Sequence, residues 1–105
     1  MASDKKELFD FLDRRAFKPV LDADLKDYSG DGKRKLADAQ QATRSERERY
    51  KHYDSADELY RMFHDDLSSE PAKKVHRELT ELGLPTLNDV RKEFDERAKE
   101  AGVHG

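Results

Sequence analysis

The chain contains no isoleucine, and valine and threonine together contribute only seven residues. Strands are built mainly from β-branched and aromatic side chains, whereas leucine, alanine, glutamate, lysine and arginine favour helices. The helix-favouring residues are abundant, and no stretch of alternating apolar and polar residues competes with their helical spacing. The sequence therefore predicts an all-α fold, a small bundle of four to five amphipathic helices joined by short capped turns.

Length and composition narrow the possibilities further. A chain of 105 residues predicts a single helical domain, residues 1–105. Leucine, isoleucine, valine and phenylalanine account for only 20 residues, so we expect a thin core. The absence of cysteine excludes disulfide scaffolds and thiolate metal sites, and no apolar run approaches the roughly 18 residues that a membrane span needs. We expect a cytoplasmic protein that does not enter a membrane.

Capping residues and apolar spacing place the helices. The first helix is predicted from about Asp4 to Arg15, with Ser3 or Asp4 as its cap, and Pro19 stops or restarts the chain soon afterwards. Residues 17–32 are interpreted as a connector that ends in a glycine-rich turn.

A long polar helix is predicted from Lys33 toward Tyr50 or Tyr53. Its inward stripe is sparse, so we expect this helix to be the most exposed; the stripe comprises Leu36, Ala39, Thr43, Tyr50 and Tyr53. Three further helices are then predicted, starting at the caps Ser55, Ser69 and Thr86.

Charge is distributed unevenly along the chain, although its net value is only −3. Residues 33–53 carry seven bases and three acids, and residues 54–70 carry one base and six acids. One interpretation is that the basic helix contacts the phosphates of a nucleic acid. Its candidate residues are Lys33, Arg34, Lys35, Arg44, Arg47, Arg49, Tyr50 and Lys51.

The alternative interpretation is that the two segments neutralise each other across a helix pair. Glu46 and Glu48, which lie among the arginines, would add local ion pairs. Mutual neutralisation needs no partner and agrees with the acidic balance of the whole chain, so it is the favoured interpretation.

Residues 27–38 resemble a calcium loop of the EF-hand type in part. Oxygen ligands occupy loop positions one, three and five, glycine occupies position six, and a carboxylate occupies position twelve. However, three consecutive bases, residues 33–35, would repel a cation, and an ordinary glycine-rich turn before a helix explains the pattern as well. The candidate metal ligands are Asp27, Ser29, Asp31 and Asp38.

Motifs of catalysis are missing from the sequence. None of the histidines is three or four residues from another, as a zinc pair on one helix would require; they are His52, His64, His76 and His104. Helix capping accounts for Ser55 and Ser69, and the adjacent pair Asp65–Asp66 diverges by about 100° on a helix. An enzyme is therefore the least favoured class, and no cofactor is predicted.

The leading hypothesis is a non-catalytic protein that acts through protein–protein interaction or self-association. A thin core motivates it, because burying large side chains against a partner would add stability. The side chains expected at such an interface are Tyr50, Tyr53, Tyr60 and Met62. Nucleic-acid association through residues 33–53 is the second hypothesis, and calcium binding through residues 27–38 is the third.

Overall fold

A computed structural model of the protein describes residues 4–103, so the candidate cap Ser3 and the side chain of His104 lie outside the described residues. The described chain is helical without strands, which confirms the predicted all-α bundle. Its α-helices are α1 (Asp4–Leu12), α2 (Lys18–Leu21), α3 (Gly30–Lys51), α4 (Ala56–Leu67), α5 (Glu70–Glu81) and α6 (Arg91–Glu100). Shorter turns lie between them: a π-helical turn, Asp13–Phe17, and the 3-10 turns Leu25–Asp27 and Asn88–Val90.

The first helical segment extends beyond its predicted end at Arg15, because α1, the π turn and α2 follow one another without a break through Pro19 to Leu21. In a regular α-helix a proline lacks the amide that would donate one turn back, and its ring clashes with that carbonyl. Here the Lys18 amide donates to the carbonyl of Asp13, five residues back, and Pro19 becomes the second residue of α2. Much of the predicted connector is therefore helical, through Leu21 and again over Leu25–Asp27.

The predicted serine caps lie at the starts of α4 and α5. The Ser55 hydroxyl accepts a hydrogen bond from the Glu58 amide at 3.1 Å. The Ser69 hydroxyl accepts one from the Ala72 amide at 3.3 Å. Each cap satisfies an amide that has no partner inside its own helix, which confirms both predicted helix starts.

The connection from α5 to α6 also follows local rules. Gly83 has a φ of +79°, a conformation that glycine adopts without strain. This lets the Leu84 amide donate back to the carbonyl of Leu79 at 2.9 Å, which closes α5. Thr86 and Asp89 then exchange two side-chain to backbone hydrogen bonds, at 3.2 and 3.0 Å, at the start of the turn that leads into α6.

The long helix α3 starts at Gly30, three residues before the predicted Lys33. Its inward stripe is buried as predicted and includes one further polar residue, Gln40. The Gln40 amide nitrogen donates to the carbonyls of Val20 and Ala23 at 3.1 and 2.8 Å, and so attaches α3 to the end of α2.

The apolar residues form two clusters. The larger joins α1, the π turn, α3, α4 and α6, and contains the close ring pair Phe63–Phe94, whose centroids are 4.2 Å apart. The smaller lies between α2, α3 and α5 and consists of Val20, Ala39 and Leu79, with Val75 and Leu84 packed against it. Division of the core in this way leaves room between the clusters, where the pocket described below opens.

Two of the expected interface residues are core residues. Tyr50 is fully buried and Tyr53 is 8% exposed, both inside the larger cluster. The expectation that these tyrosines are buried by a partner is therefore wrong, because the chain buries them itself. Tyr60 and Met62 are only partly buried against the same cluster. No helix in residues 4–103 has the length and apolar character to cross a membrane.

Candidate functional site

Arg47, a predicted nucleic-acid contact, is used inside the fold. Its guanidinium donates to both carboxylate oxygens of Asp13, at 2.6 and 3.2 Å, and lies over the ring of Phe9. The Asp13 side chain is only 20% exposed, so the pair is partly shielded from water. This contact attaches α3 to the π turn.

Other bases of α3 are also paired. Arg34 contacts Asp31 at 3.0 Å, and Lys35 contacts Glu81 of α5 at 2.8 Å. These carboxylates raise the pKa of Arg34 and of Lys35, and the pKa of Asp31 is lowered in turn by Arg34. Three of the predicted bases make no ion pair with any residue in 4–103, namely Lys33, Arg44 and Lys51.

The bases of residues 33–53 form ion pairs with acids from several parts of the chain. Within residues 4–103, Arg49–Asp66 is the one ion pair that joins residues 33–53 to residues 54–70. The remaining partners of the basic helix lie in the π turn, in α5 and in α3 itself. The favoured interpretation, that residues 33–53 and 54–70 neutralise each other, is therefore met by one ion pair, and the other acids that pair with the basic helix lie elsewhere in the chain.

The predicted calcium loop does not form. Helix α3 begins at Gly30, so Asp31 and Asp38 lie on the helix, two turns and about 10 Å apart along its axis. An EF-hand site needs its ligands to converge from a loop, and the helix prevents this. In the described part of the chain no three histidine, aspartate or glutamate side chains are placed to hold a metal ion. The structure therefore corrects the prediction that Asp27, Ser29, Asp31 and Asp38 form a calcium site.

A pocket of about 340 Å³ opens between α3 and α5. It lies where the two apolar clusters do not merge, and its apolar lining comes from both of them and from the chain before α6: Phe17, Val20, Val75, Leu79 and Leu87. The π turn contributes Ala16 and Phe17 to this lining, and such turns often accompany functional sites. Ionisable side chains from three helices complete the lining: Glu46, Arg49, Asp66 and His76.

Asp66 is the well-satisfied carboxylate of the pocket. It accepts hydrogen bonds from the Tyr50 hydroxyl at 2.7 Å and from the Arg49 guanidinium at 3.0 Å, and its side chain is 13% exposed. Burial, and then Asp66 itself, raise the pKa of Tyr50, so the phenol stays protonated and acts as the donor. The Asp66 charge is therefore balanced within the fold.

Glu46 lies on the same wall without such support. Its one ion pair among residues 4–103 is with Arg49 at 3.9 Å, and Arg49 already contacts Asp66. Burial, and then the nearby charge of Asp66, raise the pKa of Glu46 to about 7, and Arg49 opposes this shift only in part. The pocket thus carries a carboxylate that titrates near neutral pH and shares its one cation among residues 4–103 with a second carboxylate.

His76 faces the pocket from α5. Burial lowers the pKa of its imidazole, and the acids Asp89 and Asp66 only partly oppose this shift. The imidazole is therefore neutral at neutral pH. With Glu46 ionised, two carboxylates face one guanidinium in the pocket, and the balance is one negative charge.

Hydroxyl groups on the pocket are already used for capping. Ser69 donates to the carbonyl of Asp66 at 2.9 Å while it accepts from the Ala72 amide. The Thr86 hydroxyl accepts from the Asp89 amide. Both side chains stabilise chain turns, and neither is paired with a histidine that could activate it as a nucleophile.

A second polar pair lies outside the pocket, between α4 and α6. His64 Nε2 is 2.6 Å from Asp95 Oδ1, and the His64 ring packs against Tyr60 at a centroid distance of 4.7 Å. Nothing in the sequence predicts this pair, because a separation of 31 residues between His64 and Asp95 gives no local signal.

The pocket brings together one of the predicted candidates, Arg49, with residues that sequence reasoning missed, and a second candidate, Tyr50, supports the wall from the core through its bond to Asp66. Glu46 was assigned only to local ion pairs, and the contribution of Asp66 and His76 depends on how α3, α4 and α5 pack. No protein-family model, curated protein or solved structure matches the chain.

Proposed function

We propose that the protein acts without catalysis, by binding a partner protein through the pocket between α3 and α5. The observation that carries this proposal is Glu46, a largely buried carboxylate on a partly apolar pocket. Its one ion pair among residues 4–103 is a 3.9 Å contact with Arg49, which also pairs with Asp66. Such a group destabilises the empty protein, because burial disfavours its charge. Residues that lower stability in this way are typical of functional sites.

Binding is favoured over catalysis by the state of the polar groups. The Ser69 and Thr86 hydroxyls are engaged in capping, and Asp66 is held by Tyr50 and Arg49. A nucleophilic mechanism needs a hydroxyl or thiol in reach of a base, and the described lining offers no such pair.

Protein is favoured over nucleic acid by the use of the arginines. Arg47 and Arg49 are bound to Asp13 and Asp66, so their charges are largely neutralised before any phosphate approaches. The pocket itself carries an excess of negative charge, which would repel a nucleic acid backbone.

The proposal is tested by filling the pocket with a large side chain at an exposed position, so that the core is not disturbed. Ala42 is exposed and lines the pocket, so Ala42→Trp fills the opening, whereas Ala37→Trp places the same side chain on α3 away from the pocket. Both variants and the wild type are used to capture proteins from native extract, with and without nuclease. We expect partners that survive nuclease and are retained by Ala37→Trp but lost by Ala42→Trp.

Three other outcomes would contradict the proposal. Identical capture by all three chains would show that the pocket is not the binding surface. Material lost on nuclease treatment would favour the nucleic-acid hypothesis. Sedimentation that shows a dimer of the wild type and a monomer of Ala42→Trp would identify the occupant as a second copy of this chain.

A further inference from the structure

We infer that the partner inserts a lysine or arginine side chain, flanked by apolar residues, and that its charge meets the carboxylate of Glu46 at the pocket wall. This inference rests on the proposed function of the pocket. It identifies the occupant by charge complementarity, because the described lining has one carboxylate in excess over its cations.

The first step is the difference between the two acids. Asp66 accepts two charge-assisted hydrogen bonds at Oδ2, at 2.7 and 3.0 Å, and one of them pairs its charge with a guanidinium. Glu46 is 3.9 Å from a guanidinium that is already shared. A cation that enters the pocket would therefore find Glu46 as its acceptor.

The second step is the shape and polarity of the cavity. Lysine and arginine carry a charge at the end of an apolar stem, and they bury the stem along apolar surface while the charged end seeks a polar partner. The pocket offers Val20, Val75 and Leu79 to the stem and Glu46 to the charge. Its volume of about 340 Å³ lies at the small end of ligand pockets, which run from about 300 to 1,000 Å³, and suits one long side chain with part of its neighbour.

Other occupants fit the charges less well. An acidic side chain would meet Glu46 and Asp66 without a free cation to balance it. A purely apolar side chain would remove the remaining water from Glu46, whose side chain is 22% exposed, and would leave a buried charge without a partner.

Binding of a cationic side chain should also depend on pH, because Glu46 must be ionised to pair with it. Groups that face Glu46 are Arg49 and Tyr50 on α3, Asp66 on α4 and His76 on α5, while the π turn and residues 85–87 add no ionisable side chain to the lining. A bound cation stabilises the ionised form of Glu46, whose pKa in the empty pocket is about 7. Affinity is therefore expected to rise about tenfold from pH 6 to pH 8, and protonation of His76 in acid acts in the same direction.

The test uses a library of random twelve-residue peptides, selected on the wild-type protein and counter-selected on Ala42→Trp. We expect the enriched peptides to share a lysine or arginine between apolar residues. Replacing that residue by norleucine or citrulline, which keep the stem and remove the charge, should weaken binding at least tenfold at pH 8. Glu46→Gln should cause the same loss and abolish the rise in affinity between pH 6 and pH 8.

Each contrary result has a distinct meaning. Enriched peptides that are neutral or acidic at the shared position would overturn the cationic occupant and leave the proposed function in place. Peptides that bind Glu46→Gln as tightly as the wild type would also overturn the pairing with Glu46 while leaving the proposed function in place. No enrichment on the wild type over Ala42→Trp would overturn both.

Discussion

The hydroxyl of Tyr50 on α3 donates a 2.7 Å hydrogen bond to the carboxylate of Asp66 on α4. This bond holds Asp66 at the wall of the pocket, where the Arg49 guanidinium donates to the same carboxylate oxygen at 3.0 Å. The neighbouring Tyr53 ring lies 5.2 Å from that of Tyr50, yet the Tyr53 hydroxyl is buried without a hydrogen-bond partner among residues 4–103. Two adjacent phenols in one cluster therefore have opposite hydrogen-bonding states.

This contrast predicts opposite effects of removing the two hydroxyl groups. Tyr50→Phe deletes a bond to a charged acceptor, so we expect the free energy of unfolding to fall by about 1.5 to 3 kcal/mol. Tyr53→Phe removes a hydroxyl that is desolvated without compensation, so stability should stay unchanged or rise by up to about 1 kcal/mol. Urea denaturation of both variants measures the difference, and equal losses would contradict the assignment.

Glu46→Gln should stabilise the protein in a pH-dependent way. The folded-state pKa of about 7 lies above the ordinary value of 4.5, so the wild type loses stability as pH rises toward and through 7. Glutamine has no charge to desolvate. We therefore expect the stability difference in favour of Glu46→Gln to grow by about 2 kcal/mol between pH 5 and pH 8.

Thermal or urea denaturation at the two pH values checks the Glu46 prediction, with Glu48→Gln as the matched control. Glu48 lies on the same helix, but its side chain is 60% exposed, and its one ion pair among residues 4–103 is with the exposed His52. Its substitution should change stability by no more than about 0.5 kcal/mol at either pH. A pH-independent effect of Glu46→Gln would show that the carboxylate is not desolvated.

The His64–Asp95 contact should contribute more to stability than the second histidine–carboxylate contact of the chain. His64 joins α4 to α6 at 2.6 Å and packs on the rings of Tyr60 and Phe63. We expect His64→Ala to lower the free energy of unfolding by about 2 kcal/mol, because it removes both a charge-assisted bond and ring packing. His52→Ala breaks only an exposed contact within α3 and should change stability by about 0.5 kcal/mol or less. Comparable losses in a denaturation series would contradict this ranking.

The bases of α3 should separate into two groups. Arg47→Gln combined with Arg49→Gln leaves the shielded acids Asp13 and Asp66 without their guanidinium partners, at a cost of about 2 kcal/mol or more. Replacing Lys33, Arg44 and Lys51 by glutamine should change stability by less than about 0.5 kcal/mol, because these exposed bases make no ion pair among residues 4–103.

Denaturation of the two variants checks the grouping, and the triple variant also tests the nucleic-acid hypothesis without disturbing the fold. These three bases lie on one side of α3, since separations of eleven and seven residues return to nearly the same angle. A complex with nucleic acid that weakens steeply with salt and disappears in the triple variant would argue against the proposed function.

Most of the fold could be predicted because it depends on local interactions. Ser55 and Ser69 cap helices, and Thr86 closes the turn before α6, through bonds to residues three positions away; Gly83 ends α5 through its own backbone conformation. The π turn was missed, since Pro19 predicts a break and the longer hydrogen bond that accommodates it leaves no separate mark in the sequence.

The candidate site could be predicted only in fragments. Arg49 and Tyr50 were predicted to contact a nucleic acid because they lie in a basic helix. In the structure both donate hydrogen bonds to Asp66, which occupies them inside the fold. The calcium prediction failed because the helix reaches back to Gly30 and separates its ligands. In both cases the residue types suggested a ligand, a phosphate or a cation, but the contacts of those residues in the fold do not support binding it.

The absence of isoleucine and the helical spacing of a small apolar set by themselves determined an all-α bundle, since helix formation and capping depend on neighbours a few positions apart. Tertiary structure alone decided which charges are balanced. Glu46, Asp66 and His76 are 20 and 10 residues apart in the sequence, and only the packing of three helices brings them to one pocket. The physical reason is that desolvation and ion pairing depend on distance in space, so a carboxylate that looks like one among many in the sequence becomes the unbalanced charge of the pocket.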